Sequence, residues 1–314
     1  MIPLHDPQDA LRPTAIALGS FDGLHQGHRR VIAAVTDSLL PGDEVVVPTV
    51  VSFWPHPREV LHREPRLRLD LPEEKLTLLE PLGIRQLVLV PFTLPLAALT
   101  PEQFVVQVLA DRLQARRIAV GTNFRFGVAR SGDADDLARI GAAHGIDVRV
   151  VPMLWDGTER VSSSRIRRAL AAGDIGEAER LLERPYRFSG QVVSGRGLGR
   201  TLGWPTANLQ VDGRKFLPLE GVYAALAWRD GDEPAMAAVM NLGPQPTVDP
   251  LAPSAVEVHL LDRRLELAGA RLTVQPLRLL RRQQAFASLE DLSAQIRRDA
   301  DQARQDCLAR DGVL

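Results

Sequence analysis

The stretch G-S-F-D-G-L-H-Q-G-H, residues 19–28, decides the fold of the N-terminal part of the chain. It follows the predicted strand Ala15–Leu18 and leads into a predicted helix from His28 to Leu39. From Thr14 to Pro152, short β-branched runs continue to alternate with amphipathic segments. Such alternation is typical of an α/β domain with a doubly wound parallel sheet. We therefore expect residues 19–28 at the carboxyl edge of that sheet, where these domains bind ligands.

The same pattern predicts the remaining elements of this domain. Strands are expected at Val45–Val51, Gln86–Val90, Ile118–Val120 and Asp147–Val151. Helices are expected at Pro101–Arg116, at Asp133–His144, from Ser162–Ser164 onward and again up to Arg184.

After Pro185 the chain changes to closely spaced strand-like runs without helices between them. These runs are residues 186–193, 222–228, 235–240, 255–261 and 271–276. Asp230-Gly231 between two of them is a hairpin signal, and the series predicts a small antiparallel β-barrel. A final helix begins at Ser288 with the capping pattern S-x-x-D. We therefore predict two domains, residues 1–184 and residues 185–314.

Composition excludes several classes of protein. The 314 residues carry a net charge of −1 and contain one cysteine, Cys307, on the apolar face of the final helix. An internal disulfide and a multi-cysteine metal site are therefore excluded, and the near-neutral charge argues against a nucleic-acid partner. The N-terminus lacks a signal-peptide pattern, and no apolar run is long enough to cross a bilayer. We therefore expect a cytoplasmic protein without a membrane partner.

Lysine is almost absent from the chain. The only two lysines are Lys75, followed by Leu76, and Lys215, followed by Phe216, so no G-K-[ST] phosphate loop exists. Any phosphate chemistry must therefore use arginine, histidine, backbone amides or a metal.

Residues 19–28 carry groups that such chemistry needs. Two glycines allow a tight turn, and His25 and His28 stand three residues apart at the start of a predicted helix. A helix N-terminus with imidazole donors can bind phosphate oxygens and stabilise charge that develops on phosphorus. A bare His-x-x-His pair is nonetheless more often a solvated surface turn, and no third metal ligand is evident nearby. The pair alone leaves these interpretations open.

The pattern as a whole resembles the H-x-G-H signature of the nucleotidylyltransferase superfamily, in the F-D-G-x-H-x-G-H form of bacterial FAD synthetases. V-S-S-S-R-I-R, residues 161–167, resembles the I-S-S-T-x-I-R segment of that family, with Val for Ile and Ser for Thr. The resemblance implies that His25 and His28 are catalytic. It also implies that ATP and its phosphates are bound by Gly19, Phe21, Asp22, Gly27, Ser163, Ser164 and Arg167.

A third segment, G-T-N-F-R-F-G at residues 121–127, resembles the G-x-[DN]-F-x-F-G stretch of the same family. The resemblance implies that Asn123, Phe124 and Arg125 bind the flavin. F-W-P-H-P, residues 53–57, also matches a family stretch, which would place His56 in a loop near the site.

Residues 190–203 of the C-terminal domain are rich in glycine but do not satisfy G-x-G-x-x-G, and no helix follows, so a Rossmann dinucleotide site is not expected. A phosphate loop lined by backbone amides and a plain flexible loop both remain open. W-P-T-A-N, residues 204–208, then resembles the P-T-A-N motif of riboflavin kinases, with Trp where Phe is usual. V-E-V-H-L-L-D, residues 256–262, resembles their E-x-H-L-L-D strand.

The riboflavin kinase resemblance implies a role for each of these positions. Thr206 and Asn208 would supply hard oxygen ligands to Mg²⁺. Glu257 would accept the proton of the attacking alcohol, and His259, which alternation places on the same face of the strand, would be a structural partner. The phosphate loop would be formed by Gly195, Gly197 and Gly199.

Nearly the whole chain thus resembles the bifunctional riboflavin kinase/FAD synthetases. That resemblance implies phosphorylation of riboflavin to FMN by ATP, followed by adenylylation of FMN to FAD with release of pyrophosphate. Riboflavin, FMN, FAD and ATP are then the partners, Mg²⁺ the cofactor, and a monomer or weak homo-oligomer the assembly. Gln245 and Gln283 depart from the Arg and Glu that are usual in the family. Two alternatives stay open: a riboflavin kinase whose first domain is inactive, and a non-catalytic flavin-binding protein.

Overall fold

The computed structural model describes residues 1–36, 39–40, 44–194, 203–230, 234–243, 256–263 and 265–311. The chain divides into two compact units, residues 1–163 and residues 164–314. The first contains a parallel sheet with helices, and the second contains a closed barrel with a long C-terminal helix. Among the described residues, we find no helix whose length and apolar character would let it cross a bilayer.

The sheet of the first unit has six parallel strands. Their spatial order is β1 (Leu4–His5), β6 (Gln86–Pro91), β5 (Val47–Trp54), β2 (Thr14–Leu18), β7 (Ala115–Gly121) and β8 (Asp147–Val151). Two short antiparallel pairs accompany it, β3 (Leu39–Leu40) with β4 (Glu44–Val45) and β9 (Trp155–Asp156) with β10 (Glu159–Arg160). The helices are α1 (Gln26–Ala33), α2 (Pro57–His62), α3 (Pro72–Leu79), α4 (Leu94–Ala97), α5 (Pro101–Phe104), which continues as a π-helix over Val105–Arg112, and α6 (Ala134–Ala143).

Alternation along β2 explains why helices cover both faces of the sheet. Ala15 and Ala17 belong to the apolar core that contains residues of α1 and α3. Ile16 and Leu18 belong to the opposite core, which contains residues of α6 and the π-helix. A strand that is buried on both faces appears in the sequence as a continuous apolar run. The predicted doubly wound α/β fold is confirmed.

Two predicted helices end earlier than their periodicity suggested. The first ends at Ala33 rather than Leu39, because residues 39–40 form β3 and pair with β4. The second ends at Arg112 rather than Arg116, since the chain enters the buried strand β7 at Ala115. In both cases the last residues of the predicted helix lead into or form a strand. Over a few residues, apolar periodicity does not distinguish a strand from a helix.

The second unit begins within α7 (Ser163–Ala172), which is followed by α8 (Ile175–Leu182). Six antiparallel strands then close into a barrel in the order β11 (Phe188–Val193), β12 (Ala207–Val211), β15 (Val256–Leu260), β14 (Met236–Leu242), β13 (Gly221–Arg229) and β16 (Arg271–Arg281). The final helix, α9 (Leu289–Asp311), packs on β13, and the Sγ of Cys307 donates a hydrogen bond of 3.4 Å to the carbonyl of Ala225. The predicted barrel with a terminal helix is confirmed.

Capping and pairing explain the ends of several elements in this unit. The backbone N–H of Asp291 donates to Ser288 Oγ at 3.0 Å, as the capping pattern predicted. Strands β13 and β14 pair as the hairpin signal predicted, although residues 231–233 lie outside the described residues. Strand β12 was not predicted, because its five residues begin inside the P-T-A-N motif.

The helices α7 and α8 belong to the second unit apart from the first residue of α7. The backbone N–H of Leu219, in the segment between β12 and β13, donates to the carbonyl of Leu170, in α7, at 2.9 Å. The division at residues 163–164 therefore precedes the boundary at residues 184–185 that the change in sequence texture indicates. The domain limits 1–184 and 185–314 stay a prediction.

Candidate active sites

Residues 19–25 form a tight turn between β2 and α1. Phe21 and Leu24 have φ angles of 44° and 43°, and Gly23 has a φ of 92°. Residues with a Cβ rarely adopt positive φ, so such a turn persists only where surrounding contacts fix it.

Three hydrogen bonds from two distant segments of the chain fix the turn at Asp22. Its Oδ1 accepts hydrogen bonds from the backbone N–H groups of Leu69 and Asp70 at 2.9 and 3.2 Å. Its carbonyl oxygen accepts a hydrogen bond of 2.7 Å from Ser163 Oγ, across 141 residues of sequence. This last bond brings together the two motifs that were predicted to share one site.

His25 is the N-cap of α1. Its Nδ1 accepts a hydrogen bond of 3.4 Å from the backbone N–H of His28. The two imidazole rings stack with their centroids 3.6 Å apart and an interplanar angle of 18°, and the ring of Phe21 packs edge-on against His28 at 5.3 Å. Because Nδ1 of His25 accepts, the neutral ring carries its proton on Nε2.

Both histidines are held neutral. Burial, together with the nearby Arg160 guanidinium, lowers the pKa of His25 to about 4. Burial also lowers the pKa of His28 well below its usual value, with repulsion from His25 and Lys75 acting in the same direction. Nδ1 of His28 is buried and has no hydrogen-bond partner among the described residues. At neutral pH the pair therefore offers hydrogen-bond donors rather than cations.

The rings of His25 and Phe21 lie close to Gly27 and Gly19, which explains why these two positions lack a side chain. A Cβ at Gly27 would lie 3.2 Å from Cε1 of His25, and a Cβ at Gly19 would lie 3.3 Å from the ring of Phe21. A side chain at either position would therefore displace a ring of the turn.

Lys75, on α3, is a residue of this site that the sequence reasoning missed. It is 7 % exposed, and its Nζ donates a hydrogen bond of 2.9 Å to the carbonyl of Ser20. Burial lowers the pKa of Lys75, and the nearby carboxylates of Asp22 and Asp70 oppose that effect. The one signal in the sequence was the rarity of lysine, which nothing connected with residues 19–28.

The strands β5, β2 and β7 are neighbours in the sheet, and the predicted flavin-binding residues follow the carboxyl end of β7. Asn123 and Arg125 follow β7 and are exposed, and Arg125 forms an ion pair of 2.9 Å with Asp133. Phe124 packs against the adjacent core and stacks on Phe126 at 5.5 Å. The edge thus offers an exposed polar side chain at Asn123, while Phe124 also contributes to packing.

His56, which follows β5, has a structural explanation. It is the N-cap of α2: its Nδ1 accepts a hydrogen bond of 3.1 Å from the N–H of Arg58, and its own N–H donates to Glu59 at 2.7 Å. This capping box accounts for the residue without a part in chemistry.

Ser164 and Arg167 lie in the first two turns of α7. Ser164 is exposed, and the Arg167 guanidinium lies 6.0 Å from the centroid of the Phe216 ring. A hydroxyl and a guanidinium near a helix N-terminus are groups that bind phosphate oxygens well.

In the barrel, Asn208, Glu257 and Asn241 form a row across three neighbouring strands. Asn208 of β12 pairs with Glu257 of β15, which pairs in turn with Asn241 of β14. Paired residues point to the same face of a sheet, and each of the three is half-buried between buried strand neighbours. Thr206 stands two residues before Asn208, just ahead of the first residue of β12. The register therefore places Glu257 between two amides.

His259 connects β15 to the segment that carries Thr206. Its Nδ1 lies 2.7 Å from the carbonyl oxygen of Pro205, so Nδ1 carries the proton and donates. The ring of Trp204 packs edge-on against His259 at 5.2 Å. This arrangement agrees with the structural part expected for His259.

Gln283 reaches the end of the same row. Its Nε2 donates to Asn241 Oδ1 at 2.7 Å and to the carbonyl of Leu242 at 3.1 Å. The glutamine that replaces the usual glutamate therefore orients an amide beside Glu257. The other predicted positions, Gly195, Gly197, Gly199 and Gln245, lie outside the described residues.

Thr206 and Asn208 fit a magnesium ion by their chemistry. A hydroxyl and an amide oxygen are hard donors, and Asn208 pairs with Glu257 two residues after Thr206. Within the described ranges there is no group of three His, Cys, Asp or Glu residues able to hold a metal. An ion at Thr206 and Asn208 would therefore take its other ligands from substrate phosphates and water.

Comparison with known proteins identifies a family for each half of the chain. Family models match for FAD synthetase over residues 7–165 and for riboflavin kinase over residues 182–307. The bifunctional riboflavin kinase/FMN adenylyltransferase of Escherichia coli (strain K12) is 37 % identical over 292 residues, covering 92 % of this chain and 91 % of the relative. That of Pseudomonas fluorescens is 39 % identical over 303 residues, covering 96 % and 95 %.

A solved structure shares the fold over nearly its full length. The crystal structure of a macrolide-efflux protein from Streptococcus pneumoniae matches with a TM-score of 0.82 at 28 % identity, covering 96 % of this chain and 98 % of that one. The two family models and the relatives above show that the chain belongs to the family of bifunctional riboflavin kinase/FMN adenylyltransferases.

Proposed function

We propose that this chain phosphorylates the 5′-hydroxyl of riboflavin with ATP to give FMN, and then transfers AMP from a second ATP to FMN to give FAD. The observation that carries the proposal is that one chain holds two different phosphate-chemistry sites. The first unit has the neutral His25–His28 pair at a helix N-terminus, and the second has the row of Asn208, Glu257 and Asn241. Each site supplies what one of the two reactions requires.

In the adenylylation step, a phosphate oxygen of FMN attacks the α-phosphorus of ATP, and the bond to the leaving pyrophosphate breaks. No proton transfer is needed, so the site has to place the reactants and stabilise charge. His25 donates from Nε2, and His28 lies in stacking contact with it, so both act as neutral donors to the α-phosphoryl oxygens. The N-terminal amides of α1 add a favourable dipole at the same point.

The other predicted residues of this site have two kinds of role. Ser163, Ser164 and Arg167 hold phosphates, and Asn123, Phe124 and Arg125 contact the flavin. Gly19, Phe21, Asp22 and Gly27 are likewise assigned to ATP and its phosphates, as the sequence resemblance implies. Within the turn, the two glycines also leave room for the rings, Phe21 packs on His28, and Asp22 accepts the hydrogen bonds from distant segments.

In the kinase step, Glu257 accepts the proton of the riboflavin 5′-hydroxyl while that oxygen attacks the γ-phosphorus of ATP and the bond to ADP breaks. Asn208 and Asn241 stand on either side of Glu257 on the neighbouring barrel strands. The backbone amides of Gly195, Gly197 and Gly199 bind the ATP phosphates, a role that rests on sequence resemblance.

Mg²⁺ is the proposed cofactor, with Thr206 and Asn208 as its protein ligands. When bound, it would neutralise charge on the ATP phosphates. The support is that Asn208 pairs with Glu257 across two strands and that Thr206, a second hard oxygen donor, stands two residues before it.

We further propose a cytoplasmic enzyme that is a monomer or weak homo-oligomer and needs neither nucleic acid nor membrane. The support is compositional, because a net charge of −1 lacks the excess of basic residues that is typical of proteins that bind polyanions. Light scattering after size exclusion at several protein concentrations tests the assembly, with a mass near 34.5 kDa expected for the monomer.

Chromatography of flavins after incubation with riboflavin, ATP and Mg²⁺ tests the reactions. We expect riboflavin to be consumed, FMN to appear first and FAD to follow, and chelation of the metal to stop FMN formation. If FMN forms but FAD does not, even when FMN and fresh ATP are supplied, the chain has riboflavin kinase activity only. Unchanged riboflavin despite binding, measured by quenching of flavin fluorescence, would favour a non-catalytic flavin-binding protein.

A further inference from the structure

Lys75 lies against the histidine turn, and neither the sequence motifs nor the mechanism above uses it. The chain has 38 basic residues, of which only two are lysine, and Lys75 is 7 % exposed. Its Nζ donates to the carbonyl of Ser20 at 2.9 Å, and Ser52 Oγ reaches the same oxygen at 3.3 Å. Ser20 is the residue that leads into the positive-φ conformation of Phe21.

The buried ammonium group of Lys75 must be stabilised by its surroundings. Burial of a charged group is unfavourable unless it is paired and hydrogen-bonded, and here the carboxylates of Asp22 and Asp70 lie close enough to stabilise the charge. Asp22 belongs to the turn itself, and its Oδ1 also holds the N–H of Asp70. The Lys75, Asp22 and Asp70 side chains are buried, and together with the Ser20 carbonyl they form one polar cluster.

The cluster determines where the two histidines stand. The contact with Ser20 fixes the entry of the turn, and the contacts of Asp22 fix its middle. Six residues after Ser20 the helix α1 begins, with His25 as its cap. The position of the imidazole donors therefore depends on a side chain from α3.

We propose that Lys75 is a positioning residue of the adenylylation site, where its ammonium group anchors the turn of residues 20–24 through the Ser20 carbonyl and so places His25 and His28. The proposal rests on the proposed function of that site. The charged groups around the histidine pair and the ammonium are Lys75 and Glu74 from α3, Arg68 and Asp70 from the segment before α3, Asp22 from the turn, and Arg160 from β10.

The first test compares Lys75→Met with Leu79→Ala. Leu79 is fully buried one helical turn further along α3, so its loss weakens the packing of the helix without touching Ser20. Lys75→Met should lower kcat for FAD formation from FMN and ATP by about tenfold or more, since small misplacements of reacting groups have large effects. It should also move the acidic limb of the pH profile to higher pH, because His28 loses a neighbouring cation and binds a proton more readily.

Leu79→Ala should lower thermal stability and leave kcat and the pH limb of FAD formation unchanged. FMN formation from riboflavin by the same chain is the internal control and should be unchanged in both variants. A wild-type rate and pH profile in Lys75→Met would overturn the proposal. So would an equal loss of FAD formation in Leu79→Ala, since the effect would then be one of packing.

The second test needs no variant of Lys75. With only two lysines, a chain labelled with [¹³Cε]lysine gives two signals, and Lys215→Arg assigns them. The Lys75 signal should titrate below the usual range of lysine and should shift when α,β-methylene-ATP is added. Ordinary titration without a response to the nucleotide would overturn the proposal even if Lys75→Met failed to fold. A wild-type chain that forms no FAD would instead remove the proposed function, whereas the titration of Lys75 would still decide whether it is anchored in the cluster.

Discussion

The two candidate sites are built in opposite ways. In the first unit, the histidines follow a turn with positive φ at Phe21 and Leu24, which is held by side chains far away in the sequence. In the second unit, Glu257 is placed by the register of a β-barrel, whose backbone hydrogen bonds hold it between Asn208 and Asn241. A turn depends on each of its few anchors, whereas a strand register is shared over many bonds. Remote substitutions should therefore affect FAD formation more than FMN formation.

The largest expected effect is at the barrel site. Glu257→Gln keeps the shape of the side chain but removes the proton acceptor, so riboflavin phosphorylation should fall by about 10²- to 10⁴-fold. FAD formation from FMN and ATP by the same variant should be unchanged, because it uses the other unit. An unchanged kinase rate, measured as FMN produced per unit time, would remove Glu257 as the base.

At the turn, His28→Ala should reverse this pattern. Loss of one donor to the phosphoryl oxygens should reduce FAD formation by about 10²- to 10³-fold and leave FMN formation intact. His144→Ala is the matched control, since His144 is exposed at the end of α6. Equal loss of both activities in His28→Ala would point to a general loss of folding and contradict the assignment.

The same contrast explains what the sequence could predict. Alternation along a strand predicted the shared face of Glu257 and His259, and the barrel register confirms it. The alternation of strands and helices likewise predicted the parallel sheet and the edge at which residues 19–28 lie. These features depend on local periodicity, which is visible in a single sequence.

The contacts that hold the turn of residues 20–24 could not be predicted from local periodicity. Asp22 accepts hydrogen bonds from a backbone segment 47 residues away, and Lys75 reaches a carbonyl 55 residues away. Side chain-to-backbone bonds of this kind leave no motif, because any residue supplies the backbone group. The positive φ at Phe21 and Leu24 was also invisible, since neither residue type favours that conformation.

The turn should also make the stability of the protein depend on pH. The pKa of His25 is about 4 in the folded chain and 6.5 ordinarily, so below pH 6.5 the unfolded chain binds a proton that the folded chain does not. The contribution of His25 is therefore fully present above pH 6.5 and is lost as the pH falls towards 4. Since His25 is 6 % exposed, the loss should approach about 3 kcal/mol in the free energy of unfolding.

Asparagine at position 25 provides the control for this pH dependence. His25→Asn keeps an acceptor at the N-cap of α1 but does not titrate in this range. Urea unfolding followed at about pH 7.5, 5.5 and 4.5 should show a smaller loss of stability for the variant than for the wild-type chain. An identical decline in both would mean that His25 is not held neutral by the fold.

The smallest expected effect sharpens the comparison most directly, because it compares one serine from each unit. Ser163→Ala removes the bond to the carbonyl of Asp22, and Ser288→Ala removes the cap of α9. Each should lower the free energy of unfolding by about 1 kcal/mol. Only Ser163→Ala should also raise KM for ATP in FAD formation, since its hydroxyl joins the turn to the start of α7. Steady-state kinetics of FMN formation and FAD formation distinguishes the Ser163→Ala variant from the Ser288→Ala variant. If Ser163→Ala lost stability but kept its KM, the bond between the motifs would support the fold without placing the substrate.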